Sequence, residues 1–184
     1  MDQLRVHGSI FFLLRKFVIH SFSIEHWNKM LNTSDLSGEV FDIIKNYPLE
    51  NLNSLIDSAS QMSGIAPHEL KEKFGEYMVP DLFVMYHQYL NPNWRTFEVL
   101  ENTEKVMHGA VRSMNNSANP PVLHVNRVND KLIIIDYHSK RRMGSLAIGI
   151  IKGIALFYNE NTQISVIPVT AQDDERMQIR VIKT

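Results

Sequence analysis

The stretch NPPVLHVNRVNDKLIIIDYHSKR, residues 119–141, decides the fold. Before it, apolar residues recur at helical spacing; within it, the period falls to two. Asn119-Pro120-Pro121 closes the helical part, because proline has no N–H to give a helix and a fixed φ. Val122–Val128 and Lys131–Tyr137 then read as two strands joined by a tight turn at Asn129-Asp130. Downstream, Gly144–Tyr158 is an apolar helix, and Gln163–Val169 and Met177–Ile182 are two more strands around the polar turn 172–175. Helices first, then an antiparallel sheet with one inserted helix, predicts an α+β fold in a single domain, 1–184.

Upstream, positions 8–20 carry Ile10, Phe11, Leu13, Leu14, Phe17 and Val18, apolar nearly all round, as in a buried helix. Ser23 is placed to cap a short helix holding Trp27, Met30 and Leu31. Leu52, Leu55, Ile56 and Ala59 line one face of the next helix, which Ser63-Gly64 ends. Pro67 suits the first turn of a helix running to about Met78. Pro80 is expected to interrupt the pattern before a second apolar segment, Leu82–Leu90. After the turn Asn91-Pro92-Asn93, a long helix is expected from Trp94 to about Met114.

Composition narrows the function classes. Of 184 residues, 44% are hydrophobic and 21% charged, with a net charge of -1, so nothing electrostatic points to nucleic acid or an anionic membrane. The absence of cysteine excludes disulfides, thiolate metal sites and a cysteine nucleophile. The apolar run Ile10–Leu14 is broken by Arg15 and Lys16, too short to span a bilayer and without a small-residue cleavage site. A soluble, cytoplasmic protein with no membrane insertion is the expectation. No glycine-rich phosphate loop, nucleophile elbow or metalloprotease helix suggests turnover, so no enzyme is expected.

Two constellations carry chemistry. His108 lies in the second half of the long helix with Met107 and Val111 near it and Glu104 and Lys105 to the side. A neutral imidazole there can ligate iron while its other nitrogen bonds a neighbour; equally, it can be a half-buried structural histidine. At the strand end, extended geometry puts Tyr137, Ser139 and Arg141 on one face and His138 and Lys140 on the other. A phenol, a hydroxyl and a guanidinium side by side suit a pair of carboxylates, although a solvated basic strand end has the same composition.

His108, then Pro120-Pro121 twelve residues on, then Tyr137-x-Ser139-x-Arg141 after one hairpin, resembles the haem nitric oxide/oxygen binding (H-NOX) family. This is the sensor domain of soluble guanylate cyclase and of bacterial stand-alone relatives. The likeness extends to His7-Gly8-Ser9-Ile10 and Phe74-Gly75 and covers essentially the whole chain. It implies a haem b buried between the helical part and the sheet part. His108 would be the proximal iron ligand; Tyr137, Ser139 and Arg141 would hold the propionates; Pro121 would press on the porphyrin and distort it. Ser23-Ile24-Glu25 departs from the glycine-containing turn common in relatives.

The distal side separates ligands. Oxygen-binding members carry a tyrosine where this chain has Leu146, and by the same register Ile10, Leu14, Met78, Leu82 and Ile150 complete an apolar set. Dioxygen gains from a donor, whereas NO and CO depend on one far less, so the expectation is an NO sensor. Tyr77 and Tyr86 are the nearest candidate donors, and Met78 is a conceivable sixth iron ligand. Signalling is expected to follow from release of the bond between iron and His108 on NO binding. The partner would be a histidine kinase, a cyclic-di-nucleotide enzyme or a guanylate cyclase, separate or fused. The alternatives are an oxygen-binding member, a haem enzyme of the NO dioxygenase or peroxidase kind, and a haem-free scaffold. The other histidines (His20, His26, His68, His87, His124, His138) read as surface or structural residues.

Overall fold

The computed structural model describes residues 3–114 and 119–184. The chain divides into two compact units, Met1–Phe74 and Gly75–Thr184. The architecture is α+β, as expected.

In the first unit, β1 (Arg5–His7) pairs antiparallel with β2 (Asn46–Pro48), a small sheet that the sequence pattern did not announce. Around it lie α1 (Gly8–Ser21), α2 (Ile24–Thr33) and α3 (Leu49–Ser63). Gly8 is required where α1 begins: a Cβ there would collide with the Asp42 carbonyl oxygen. His7 caps the same helix by accepting from the Ser9 N–H. Ser23 caps α2, accepting from His26 N–H at 3.3 Å. Gly64, left-handed at φ 73°, ends α3 as its position suggested.

α4 (Pro67–Met85) starts in the first unit and ends in the second. It runs straight through Pro80, which corrects the expected break. An internal proline removes one helical bond, here to Glu76 O, and costs about 3 kcal/mol in isolation. Packing against α7 (Gly144–Phe157) offsets this. A Cβ at Gly153 would sit 2.8 Å from Glu76 O, and one at Gly75 would collide with Leu146 O. The two glycines let the helix backbones touch, and Met78, Val79 and Phe83 are buried along the way. Residues 82–90 are therefore the last turn of α4 plus a short 3-10 turn at His87–Tyr89, not a separate helix.

The expected long helix from Trp94 to Met114 is three pieces. α5 (Thr96–Asn102) gives way to a π-helical segment, Thr103–His108, and then α6 (Gly109–Met114). Wide π turns inside a helix are rare and concentrate at functional positions. Apolar periodicity averages over such a turn and does not report it.

The sheet is antiparallel throughout, in the order β3 (Val122–Asn129), β4 (Leu132–His138), β6 (Arg176–Lys183), β5 (Ile164–Pro168). Ile133, Ile135 and Tyr137 on β4 stand opposite Val181, Ile179 and Met177 on β6, all buried. Ile148, Ile151, Ile154 and Ala155 of α7 belong to the same core. Among the described residues, no helix is long and apolar enough to cross a membrane.

Candidate functional site

His108 closes the π segment, with its ring largely buried. Its Nδ1 lies 2.9 Å from Glu104 Oε2. The same Oε2 accepts the backbone N–H of Leu123 at 3.0 Å, and Oε1 accepts from Arg112 Nη2 at 2.7 Å. Glu104 thus joins the histidine to the start of β3 and to α6. Burial lowers the affinity of the His108 ring for a proton; the Glu104 carboxylate and the Pro121 carbonyl work the other way, and burial prevails. At Glu104 itself, burial raises the carboxyl, but the bonds from His108, Arg112 and Leu123 outweigh it and hold the group below its usual range. Pro121, half-buried just before β3, is brought to His108 by this arrangement.

Tyr137, Ser139 and Arg141 are also brought together, by a different route from the one expected. β4 ends at His138, so strand alternation does not carry as far as Arg141. The chain turns instead. Ser139 N–H donates to Glu175 O at 2.9 Å, Arg142 N–H donates to Ser139 O at 3.1 Å, and Arg142 takes the left-handed φ of 52°. Within that turn Ser139 Oγ accepts the Arg141 N–H at 3.3 Å. Tyr137 is buried and Ser139 nearly so. Burial pushes the Tyr137 phenol up, while bonds from the Ser139 hydroxyl and the Met143 backbone oppose it. Burial also lowers Arg141 below the usual guanidinium range, with Tyr137 opposing. Arg141 Nη2 donates to the Asn119 carbonyl. His138 faces the other way and meets Glu175 Oε1 at 3.1 Å.

Of the residues expected on the distal side, Met78 and Leu146 are buried and Leu82 and Ile150 half-buried on α4 and α7, which touch through Gly75 and Gly153. Ile10 and Leu14 lie on α1 of the first unit, Leu14 fully buried. Tyr77 and Tyr86 are half-buried on and just after α4, and burial raises the Tyr86 phenol.

Sequence reasoning set Glu104 aside as a lateral neighbour of His108 and passed over Arg112. The signal was present: Glu104, His108 and Arg112 recur every four residues, the spacing of one helix face.

Fold and site together define an α+β module of the H-NOX kind. The chain resembles a Cs H-NOX mutant carrying 4-cyano-L-phenylalanine (TM-score 0.87, 19% identity, 97% of each chain). It resembles the H-NOX protein from S. oneidensis in the Fe(II)NO state (TM-score 0.86, 17% identity, 97% of this chain and 99% of that one). It is also similar to the unliganded Fe(II) H-NOX protein from K. algicida (TM-score 0.84, 20% identity, 97% of each chain). At these identities the likeness shows the fold. A search of curated proteins finds no match. The family described as Haem-NO-binding matches residues 7–166, and the chain belongs to it.

Proposed function

We propose that this chain is a haem-based sensor of nitric oxide, with His108 as the proximal ligand. The observation that carries the reading is the placement of that imidazole. Nδ1 lies 2.9 Å from Glu104 Oε2, and we assign Nε2 to the metal. A haem b, when bound, supplies an iron already held by four porphyrin nitrogens and needing one such donor.

The other groups fit the rest of that cofactor. Arg141, its charge disfavoured by burial, gains from an anion beside it, and Tyr137 and Ser139 add hydroxyl donors for carboxylates. Ser145, fully buried at the start of α7, has a hydroxyl without a hydrogen-bond partner among the described residues, a further polar group that a ligand can satisfy. Pro121, beside His108, is a rigid body to set against a flat macrocycle.

Selectivity for NO rests on what Met78, Leu82, Leu146 and Ile150 lack. None has an N–H or O–H side-chain donor. A ligand that gains negative charge forfeits about 1.5–3 kcal/mol without one, roughly 10- to 150-fold in affinity. Dioxygen is such a ligand; NO is far less so. The chain's response starts at His108, and Glu104 links that residue to β3 and α6, which we propose as the route to a separate or fused output protein in the cytoplasm.

Absorption spectra of the purified reduced protein in air, under CO and under NO test this reading. We expect a five-coordinate ferrous spectrum unchanged by air and shifted by NO. A stable oxygenated spectrum would turn the reading to an oxygen sensor, and no Soret band after reconstitution would end the haem reading.

A further inference from the structure

Resting on the assignment of His108 as a haem ligand, we infer that Glu104 is a positioning residue that sets the tautomer and donor strength of His108, and that Arg112 moderates it. The geometry is specific. Glu104 Oε2 meets His108 Nδ1 at 2.9 Å and Leu123 N at 3.0 Å, while Oε1 meets Arg112 Nη2 at 2.7 Å. An ionised carboxylate accepts and never donates, so the ring proton facing it sits on Nδ1; in the neutral ring, which burial favours, that puts the lone pair on Nε2. A metal-bound imidazole whose second N–H donates to an anion becomes more electron-rich, so its bond to the metal strengthens.

The surroundings make that bond count. Glu104 and His108 side chains are 28% and 16% exposed, so water screens the pair weakly. Leu123, fixed in the sheet, and the π turn that carries both residues hold the carboxylate in register. Arg112, at 39% exposure, draws negative charge toward Oε1 and away from the histidine. A simple helix-surface ion pair, the competing explanation, needs no backbone donor from another element and predicts no electronic effect.

Two substitutions then have opposite signs. Glu104→Gln keeps the shape and an acceptor but removes the charge, weakening the donation by His108. Arg112→Ala frees the carboxylate and strengthens it. Mere loosening of the helix would move both variants the same way.

Resonance Raman spectra of the reduced, gas-free, haem-loaded chain read the iron–histidine stretch directly. We expect the band at lower frequency in Glu104→Gln and at higher frequency in Arg112→Ala, with the reduction potential more positive in the first and more negative in the second. Haem loss to excess apomyoglobin should be roughly 10- to 100-fold faster in Glu104→Gln. An unchanged band in Glu104→Gln, or shifts of the same sign in both variants, overturns the inference while leaving His108 as ligand. A wild-type chain with no iron–histidine band overturns the ligand assignment itself, and this inference with it. Should Glu104→Gln fold poorly, ¹⁵N shifts of His108 in the haem-free wild-type protein decide: a proton on Nδ1 supports the inference, and a proton on Nε2 refutes it.

Discussion

Two helical stretches of the second unit are built on opposite plans. α7 is regular, almost uncharged, and seated by backbone contact: Gly75 and Gly153 bring it against α4, and Ile148, Ile151 and Ile154 bury into the sheet. The stretch from Thr96 to Met114 is broken by a π segment and tied to the sheet by charge. Arg127 on β3 binds Glu98 at 3.2 Å and Glu101 at 3.1 Å, and Glu104 binds His108, Arg112 and Leu123. Apolar packing at close approach has one good arrangement, because each displaced atom loses contacts. A hub of hydrogen bonds at partly exposed groups can exchange partners. The difference fits the proposed function: in that reading α7 holds its place and the response starts in the stretch around His108.

That contrast can be broken or sharpened. The largest expected effect is on α7. Ile148→Ala should lower the stability of the haem-free protein by about 2–5 kcal/mol in urea unfolding. A loss near zero would mean that α7 is not the rigid partner. Next, Leu146→Tyr adds a hydroxyl to the fixed helix and should raise oxygen affinity roughly 10- to 150-fold by equilibrium titration. No gain would remove Leu146 from the distal side. Gly75→Ala should destabilise by about 1–3 kcal/mol in the same urea unfolding, since its Cβ would collide with the Leu146 carbonyl oxygen.

The smallest effect concerns acid. The folded-state carboxyls of Glu104 and Glu160 titrate below the ordinary 4.5: burial raises each, and at Glu160 the bonds from Lys183 and Thr96 outweigh it. Their contribution is full above about pH 4.5 and lost as pH falls from there through the folded values. His108 is lowered from 6.5 by burial, so the unfolded chain takes that proton first and stability starts to fall below about pH 6.5. Hydrogen exchange of the haem-free protein should show residues 96–114 opening before α7 on acidification. Glu104→Gln should flatten the fall below about pH 4.5 and, without the carboxylate that favours the His108 proton, steepen the fall between about pH 6.5 and 4.5; simultaneous opening of both stretches would erase the distinction.

Much of this fold was legible because its elements follow single periods. Val122–Val128 alternates, Leu132–Ile135 is a short apolar β-branched run beside a turn, and Gly64 and Ser23 sit where caps belong. What escaped depends on contacts between distant residues. Pro80 stays helical because α7 packs on α4 through Gly75 and Gly153, a partner that no local reading of α4 contains. Strands of three residues such as β1 and β2 carry too little pattern to be seen. In the candidate site, His108, Pro121, Tyr137, Ser139 and Arg141 were singled out by order and spacing, and the structure brings Pro121 beside His108 and Tyr137, Ser139 and Arg141 together. Glu104 was set aside because its meaning lies in Leu123, nineteen residues away and in another element.

The central claim, that His108 holds the haem, is tested most directly by titrating haem into His108→Gly with and without imidazole and recording the ferrous spectrum. The account predicts weak, disordered binding without imidazole and a restored five-coordinate spectrum with it. A spectrum like that of the wild type in imidazole-free His108→Gly would contradict it, because another residue would then be the ligand.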